Sequence, residues 1–122
     1  MRKSTILRKM FQEPGIIIAP GAYDAWSARL IEKAEFSAVY MTGYGVSASV
    51  LGKPDIGLLT MSEMVTQAKN IASAVDIPLI ADGDNGYGGT LNVIRTVQEY
   101  EQAGVAAIQL EDQIFPKRCG HM

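Results

Sequence analysis

Four short apolar runs alternate with segments of helical pattern along the chain. Runs of this length bounded by turn residues predict buried β-strands, and they cover Ile16–Ala19, Ala38–Met41, Pro78–Ala81 and Val105–Leu110. Strands that alternate with helices predict parallel pairing through right-handed crossovers. Because the runs are almost wholly apolar, we expect both faces of these strands to be covered.

Two of the intervening helices carry recognisable N-terminal caps. Asp24 is placed to cap a helix that continues through Lys33, and Thr60 with Glu63 forms a T-x-x-E capping box. After Thr60, apolar residues recur at helical spacing, which predicts one buried face. That face comprises Met61, Met64, Val65, Ala68, Ile71, Ala72 and Val75.

Two further helices are predicted near the ends of the chain. One runs from about Leu91 to Ala103 and stops at Gly104, a glycine placed to end it. The other covers residues 4–12 and is expected to turn its apolar residues inward, namely Ile6, Leu7, Met10 and Phe11.

This order of elements predicts an α/β fold made of about four βα units. Four units are the N-terminal half of a (β/α)₈ TIM barrel, which typically needs about 250 residues. The alternative is a small open sheet. Because the chain stops among chemically reactive residues at Met122, we expect residues 1–122 to be a single, truncated half barrel. Half a barrel leaves open sheet edges that favour pairing with a partner half or another copy.

Composition narrows the classes of function. The net charge is −2 and the cations are scattered, so we expect no nucleic-acid or membrane partner. The longest apolar run is far below the roughly 18 residues of a membrane span. A single cysteine excludes an internal disulfide and indicates a cytoplasmic protein.

Polar residues follow each predicted strand, which in a parallel α/β fold gathers them at the ligand-binding edge. Asp82 and Asp84 follow the third strand, and Glu111 follows the fourth. Three carboxylates in one place repel unless a cation neutralises them. Hard oxygen ligands in small number suit Mg²⁺, with Mn²⁺ as an alternative. The competing interpretation is that residues 82–86 form only a polar turn, since Asp, Asn and Gly commonly build turns.

Two glycine-containing segments permit more than one interpretation. Residues 43–48 match the dinucleotide pattern G-x-G-x-x-A, but weakly, because Gly52-Lys53-Pro54 interrupts the helix that should support a pyrophosphate. We expect the glycines instead to expose backbone N–H groups to a carboxylate or phosphate. The segment over 52–57, which contains Asp55, locally resembles a solvated turn.

The last six residues hold the only cysteine and the only histidine, Cys119 and His121, beside the cations Lys117 and Arg118. Neighbouring positive charge can lower the pKa of a thiol and prepare it for proton transfer. A solvated basic pair and an inert thiol are the alternatives.

Together these motifs resemble the isocitrate lyase/phosphoenolpyruvate mutase superfamily, and 2-methylisocitrate lyases in particular. Residues 117–121 resemble its K-[KR]-C-G-H motif, residues 82–88 its D-x-D-x-G-[FY]-G metal loop, and residues 111–113 its E-D-Q segment. Residues 40–43 and 52–55 resemble its Y-x-[ST]-G and G-x-P-D patterns. The order and spacing agree from about Ile16 to His121.

The resemblance implies a (β/α)₈ barrel, Mg²⁺ and a small keto or hydroxy acid as substrate. Asp82 would bind the metal directly, with Asp84 and Glu111 holding it, often through water. Asp55 would face the keto-acid fragment. Substrate groups would be bound by Tyr40, Thr42, Gly43, Tyr44 and Gly120. The catalytic gating loop would carry Lys117, Cys119 and His121.

Cys119 favours a C–C lyase, since the resemblance implies Asn at this place in phosphonate mutases. Retro-aldol cleavage needs a base, a metal and an acid that protonates the departing carbanion. The leading expectation is cleavage of 2-methylisocitrate to pyruvate and succinate. Tyr44 and Gln109 differ from the Gly and His typical of 2-methylisocitrate lyases.

Three other enzymatic activities and one non-enzymatic role remain open. The enzymes are a dimethylmalate lyase, an oxaloacetate hydrolase or decarboxylase, and a carboxyphosphonoenolpyruvate mutase. The non-enzymatic role is an inactive fragment that only packs against a partner half. We expect the 122-residue chain alone to be inactive and the full-length enzyme to be a homo-oligomer, as tetrameric relatives imply.

Overall fold

The computed structural model describes residues 1–120 as alternating helices and parallel strands. The strands are β1 (Gly21–Ala22), β2 (Val39–Met41), β3 (Leu79–Asp82) and β4 (Ala107–Gln109). The helices are α1 (Lys3–Gln12), α2 (Ala25–Lys33), α3 (Gly43–Val46), α4 (Met61–Ala74) and α5 (Thr90–Gln102). A π-helical turn, Ser47–Leu51, continues α3.

The four strands form one parallel sheet in the order β1-β2-β3-β4. Gly21 pairs with Tyr40, Tyr40 with Ile80, and Ile80 with Ala107, so the register runs unbroken across the sheet. Each strand therefore pairs with the next one along the chain. This sequential order is what successive βα units of a (β/α)₈ barrel require, and the prediction of parallel βα units is confirmed.

The capping signals are confirmed in detail. Asp24 Oδ1 accepts a hydrogen bond of 2.7 Å from the Ser27 amide at the start of α2. Thr60 and Glu63 cap each other's backbone at the start of α4. Gly104 follows the end of α5 with a φ of +91°. Caps are local interactions, so they could be predicted from a few neighbouring residues.

The core lies between one face of the sheet and the helices α2, α4 and α5. The predicted apolar face of α4 is buried at Met64, Ala68, Ile71 and Ala72, with Val75 just beyond the helix. In the strands, Val39, Met41, Leu79 and Ala81 are fully buried, whereas Tyr40 and Ile80 between them are only half-buried. The expectation that both faces are covered is therefore wrong for the described residues.

The first strand lies further along the chain than predicted. Ile16 is 91% exposed and Ile18 is 63% exposed, and the strand consists of Gly21 and Ala22 instead. The amide of Tyr40 donates to the carbonyl of Pro20, so β2 begins opposite Pro20. Residues 16–19 extend past the start of β2 and have no strand to pair with.

Helix α1 packs mainly through Leu7, which is 1% exposed. Phe11 is 62% exposed, so its predicted inward orientation is wrong. The ammonium of Lys3 donates to the carbonyls of Ala72 at 2.6 Å and Val75 at 2.5 Å, at the carboxyl end of α4. A cation at this end of a helix satisfies carbonyls that have no partner within the helix.

Within residues 1–120, no helix is both long and apolar enough to cross a membrane.

Candidate functional site

The carboxyl ends of β2, β3 and β4 bring three polar loops to one edge of the sheet. Thr42 and Gly43 follow β2, the loop of residues 82–88 begins at the last residue of β3, and Glu111 follows β4. The parallel register holds these ends side by side. Ligands bind at this edge in parallel α/β folds, and the sequence predicted that these residues gather here.

Asp82 is buried, and both of its carboxylate oxygens accept backbone hydrogen bonds. The Asp84 amide donates to Oδ1 at 2.7 Å, and the Gly43 amide donates to Oδ2 at 3.2 Å. A Cβ atom at position 43 would overlap Asp82 Oδ2. Glycine is therefore required here because the backbone of α3 approaches the carboxylate directly. The Gly43 amide is buried and bound by Asp82 rather than exposed to a ligand as the sequence had predicted for these glycines.

Asp84 lies in the same loop with a φ of +53°, in the left-handed region. Its Oδ1 atom is buried and accepts no hydrogen bond from the described residues. The Lys117 ammonium lies 3.4 Å from that oxygen, which is longer than an ordinary hydrogen bond. Burial raises the pKa of Asp84, and the positive charge of Lys117 opposes that rise. This oxygen is therefore ion-paired with Lys117 but has no hydrogen bond of ordinary length within residues 1–120. Asp55, Asp82 and Asp84 form an acidic cluster around the Lys117 ammonium.

Lys117 is buried among the carboxylates, with its ammonium 2.9 Å from Asp55 Oδ1. Burial alone would lower the pKa of Lys117, but the hydrogen bond to Asp55 and the charges of Asp84 and Asp82 raise it above the ordinary value. The side chain is therefore a permanent cation at neutral pH. The local interpretations of a solvated basic pair and a solvated turn are wrong for Lys117 and Asp55.

Ser47 supports the backbone of the loop that carries Asp55. The Ser47 hydroxyl is buried and lies 3.1 Å from the carbonyls of both Lys53 and Pro54. Gly52 ends the π-helical turn with a φ of +60°. Single π-helical turns are frequent at functional sites, and this one aims residues 53–55 at Lys117. The helix thus ends at Gly52, as expected from the weak match to the dinucleotide pattern.

The loop of residues 111–120 closes over the acidic cluster. Phe115 approaches Gly57 so closely that a Cβ at position 57 would lie 3.0 Å from its ring. The space enclosed between Gly43, Asp55, Asp82, Asp84 and Lys117 is about 10 Å³. That volume is at the lower limit for one water molecule, so in this conformation the space between these side chains holds no more than about one water.

Tyr40 and Glu111 border the cluster on the β4 side. The Tyr40 hydroxyl donates to Gln109 Oε1 at 2.5 Å. Burial, with the negative charges of Asp82 and Glu111, raises the pKa of Tyr40 to about 12, so it is a hydrogen-bond donor at neutral pH. Glu111 accepts from Gln113 Nε2 at 2.7 Å. Partial burial raises the pKa of Glu111, against the effect of Lys117.

The remaining predicted residues lie around this cluster. Thr42 Oγ1 accepts from the Gly45 amide at 3.0 Å and caps α3. Tyr44 is half exposed, Cys119 is a partly buried free thiol, and Gly120 is exposed. Their predicted roles stay predictions, and His121 lies outside the described residues.

The donor set of the cluster fits a hard divalent cation such as Mg²⁺. Asp84 Oδ1 is a buried carboxylate oxygen, and burial penalises its charge unless a cation is near. In this structure the Lys117 ammonium, 3.4 Å away, is the cation beside it. In the part of the chain that the structure describes, no three Cys, His, Asp or Glu side chains come close enough to ligate one ion together. Few direct protein ligands, with waters in the other positions, is how Mg²⁺ is usually bound.

The chain belongs to the phosphoenolpyruvate phosphomutase family, whose model matches residues 7–121. It is 56% identical to the 2,3-dimethylmalate lyase of Eubacterium barkeri over all of this chain and 42% of that protein. It is 50% identical to the chloroplastic carboxyvinyl-carboxyphosphonate phosphorylmutase of Arabidopsis thaliana, over 99% of this chain and 36% of that protein. It is also 44% identical to the 2-methylisocitrate lyase of Aeropyrum pernix, over 99% and 39%. The chain therefore spans about two fifths of the curated relatives it matches.

Solved structures show the same fold. The trigonal crystal form of 2,3-dimethylmalate lyase superposes with a TM-score of 0.93 at 45% identity, over all of this chain and 41% of that one. An oxaloacetate acetylhydrolase bound to 3,3-difluorooxalacetate gives 0.94 at 44%, over 98% and 41%. A phosphonopyruvate hydrolase in complex with oxalate and Mg²⁺ gives 0.91 at 40%, over 97% and 41%. The parallel sheet is thus part of a TIM-barrel-type fold, as predicted.

The side chains that support the loops of the site from the helix side were not predicted from the sequence. Ser47 holds the loop of Asp55, while Thr96 and Tyr100 on α5 reach the loop of residues 82–88. The available signal was a pair of hydroxyl-bearing residues four positions apart in α5. That spacing places both on one face of a helix.

Proposed function

We propose that this chain supplies the metal-binding and keto-acid-binding part of a Mg²⁺-dependent carbon–carbon lyase. The substrate is a small 2-hydroxy di- or tricarboxylate, and one product is pyruvate. The main support for this proposal is the acidic cluster of Asp55, Asp82 and Asp84. The loop of residues 111–120 inserts Lys117 into this cluster and also carries Cys119. The activities named for its relatives support the reaction class.

The reaction breaks a carbon–carbon bond, so the negative charge that develops on both fragments must be stabilised. The hydroxyl-bearing carbon becomes the keto carbon of pyruvate as its bond to the neighbouring carbon breaks. The hydroxyl proton goes to a base, and the electron pair stays on the departing fragment until a proton arrives there. Bound Mg²⁺ supplies positive charge that stabilises the forming keto acid.

The side chains have distinct proposed roles. Asp82 and Asp84 hold the cation, and Glu111 does so through water. Lys117 neutralises Asp55 and ties the mobile loop to the cluster when substrate is enclosed. Carboxylate groups of the substrate are bound by Tyr40, Thr42, Gly43, Tyr44 and Gly120.

Cys119, assisted by His121, protonates the departing carbon. A positioned general acid typically contributes about 10²–10⁴-fold to the rate.

Two substrates fit this chemistry and differ only in the second product. 2,3-Dimethylmalate gives pyruvate and propionate, whereas 2-methylisocitrate gives pyruvate and succinate. The 56% identity to a 2,3-dimethylmalate lyase, against 44% to a 2-methylisocitrate lyase, favours the first. Gln109, which accepts from Tyr40 at the site, also departs from the His expected of 2-methylisocitrate lyases. We therefore propose 2,3-dimethylmalate as the preferred substrate.

A chimera tests the proposal, because the chain spans only part of a full barrel enzyme. In it, residues 1–122 replace the matching segment of the Eubacterium barkeri lyase. Pyruvate release is followed with 2,3-dimethylmalate and 2-methylisocitrate, and consumption of the substrate is followed with oxaloacetate and carboxyphosphonoenolpyruvate. We expect the highest kcat/KM with 2,3-dimethylmalate and no pyruvate from the 122-residue chain alone. A chimera that consumes only carboxyphosphonoenolpyruvate would refute the lyase proposal.

The acid role of Cys119 has its own test in the same chimera. Cys119→Ser should lower kcat by about a hundredfold or more, because a hydroxyl donates a proton far less readily than a thiol. KM should change little, since the thiol acts after the substrate is bound. Undiminished kcat in Cys119→Ser would exclude this role.

A further inference from the structure

Two hydroxyl groups on helix α5 donate hydrogen bonds to the backbone of the loop of residues 82–88. The Thr96 hydroxyl donates to the carbonyl of Gly86, and the Tyr100 hydroxyl donates to the carbonyl of Asp82, both at 2.8 Å. Both side chains are 1% exposed, so water does not compete for these bonds. The two residues lie one helical turn apart and hold carbonyls at opposite ends of the segment that carries Asp84.

This loop needs outside support because its backbone is strained. Asp84 has a φ of +53° and Tyr87 a φ of +62°, a region that residues with a Cβ rarely adopt. Such conformations persist only where the surrounding structure determines them. Inside the loop, the Gly86 amide donates to Gly83 and the Asp84 amide to Asp82 Oδ1. These internal bonds fix the turn itself. Toward β4, the Gly83 amide donates to the Gln109 carbonyl at 2.8 Å and the Glu111 amide donates to the Asp84 carbonyl at 2.7 Å.

The two α5 hydroxyls attach the loop on its other side, to the helix behind it. The Asp82 carbonyl belongs to the residue whose carboxylate accepts from Asp84 and Gly43. A shift of this carbonyl would move the Asp82 carboxylate relative to Asp84 Oδ1. Neither hydroxyl touches the acidic cluster directly, since each contacts only the backbone of the loop or the hydroxyl of Tyr87.

We propose that Thr96 and Tyr100 are positioning residues that set the separation of the Asp82 and Asp84 carboxylates, and through it the affinity for a divalent cation. The inference rests on the proposed metal-dependent function and deepens it. Groups that orient metal ligands from behind typically change metal affinity by about 10–100-fold when removed.

The test uses Thr96→Val and Tyr100→Phe, which remove one hydroxyl each and keep the shape of the side chain. Thr96→Ser keeps the hydroxyl and serves as the rescue variant. Thr66→Val is the matched control, because Thr66 also donates to a carbonyl at 2.8 Å but is exposed on α4. Two quantities are measured on the 122-residue chain: amide hydrogen exchange over residues 83–88, and Mn²⁺ affinity by electron paramagnetic resonance.

We expect Thr96→Val and Tyr100→Phe to exchange the loop amides about tenfold faster and to bind Mn²⁺ at least about tenfold more weakly. Thr96→Ser and Thr66→Val should match the parent chain. Equal loop exchange in Thr96→Val and Thr96→Ser would overturn the inference, and this pair decides even where Tyr100→Phe unfolds the chain. If the parent binds no Mn²⁺ while loop exchange still rises in Thr96→Val, the metal function fails and the positioning of the loop stands.

Discussion

The ammonium of Lys117 lies 2.9 Å from Asp55 Oδ1, with both side chains largely withdrawn from water. This pair joins the loop of residues 111–120 to the loop of residues 52–57. A buried charge that keeps its partner is tolerated, whereas one that loses its partner is expensive. The ion pair therefore holds the two loops together in this structure.

Removing the charge of Lys117 should release this loop. Lys117→Met leaves Asp55 buried without its counter-charge, a loss of about 3–5 kcal/mol for pairs of this kind. We expect faster amide exchange and faster proteolytic cleavage over residues 111–120, with the sheet unchanged. Arg118→Met is the matched control, because Arg118 is exposed in the same loop. Equal cleavage rates in the two variants would show that the ion pair of Lys117 and Asp55 does not hold this loop in place.

The direct approach of Gly43 to Asp82 gives a second prediction. Gly43→Ala introduces a Cβ that overlaps Asp82 Oδ2, so the carboxylate must turn away and Mn²⁺ affinity should fall about tenfold or more. In Gly21→Ala the new Cβ would meet only Thr42, at 3.5 Å. This ordinary contact should leave Mn²⁺ affinity unchanged. Comparable affinities for the two variants, measured by calorimetry, would argue against the placement of Asp82.

The raised pKa of Tyr40 predicts that the fold loses stability in alkaline solution. This pKa is raised in the folded chain to about 12 from the ordinary value of 10.0. A group that holds its proton more tightly when folded stabilises the fold fully below its unfolded pKa, and this contribution disappears as pH rises. The free energy of unfolding should therefore fall between about pH 10 and 12. Urea titrations should show a shallower fall in Tyr40→Phe, and identical slopes would count against this cause.

The Lys3 contact with α4 predicts a stabilising role far from the site. Lys3→Met removes a charged donor from the carbonyls of Ala72 and Val75, which should cost about 1–3 kcal/mol of unfolding free energy. Lys9→Met, at an exposed position in the same helix, should cost much less. Thermal unfolding followed by circular dichroism measures both, and an equal loss of stability would show that the Lys3 contacts are not responsible.

Sequence predicted the helices well and the first strand poorly, for one physical reason. Asp24, Thr60 and Gly104 act on backbone groups a few residues away, so short patterns contain the whole signal. A strand instead depends on a partner distant in the chain. The apolar run of Ile16–Ala19 predicts a strand, but β2 begins opposite Pro20 and leaves that run unpaired.

The residues of the site also differ in how far their placement could be predicted from the sequence. Asp82, Asp84 and Glu111 could be placed at one edge of the sheet because the ends of parallel strands meet there. Within the described residues they do not come close enough to ligate one ion together. The burial of Lys117 against Asp55 could not be predicted, since it depends on how two distant loops fold over the cluster. The hydroxyl contacts of Thr96 and Tyr100 could not be predicted either, because their spacing places them on one helix face but does not indicate which backbone carbonyls they bind.

We propose that the acidic cluster holds the cation of a carbon–carbon lyase. The most direct test is Mg²⁺-dependent pyruvate formation from 2,3-dimethylmalate by the chimera, compared between Asp84→Asn and Asp112→Asn. Asp84 Oδ1 is buried and faces the cluster, whereas Asp112 is exposed. We predict that Asp84→Asn lowers kcat/KM about a hundredfold or more and raises the Mg²⁺ concentration needed for half-maximal rate, while Asp112→Asn leaves both unchanged. Full activity with unaltered Mg²⁺ dependence in Asp84→Asn would show that the acidic cluster does not hold the cation.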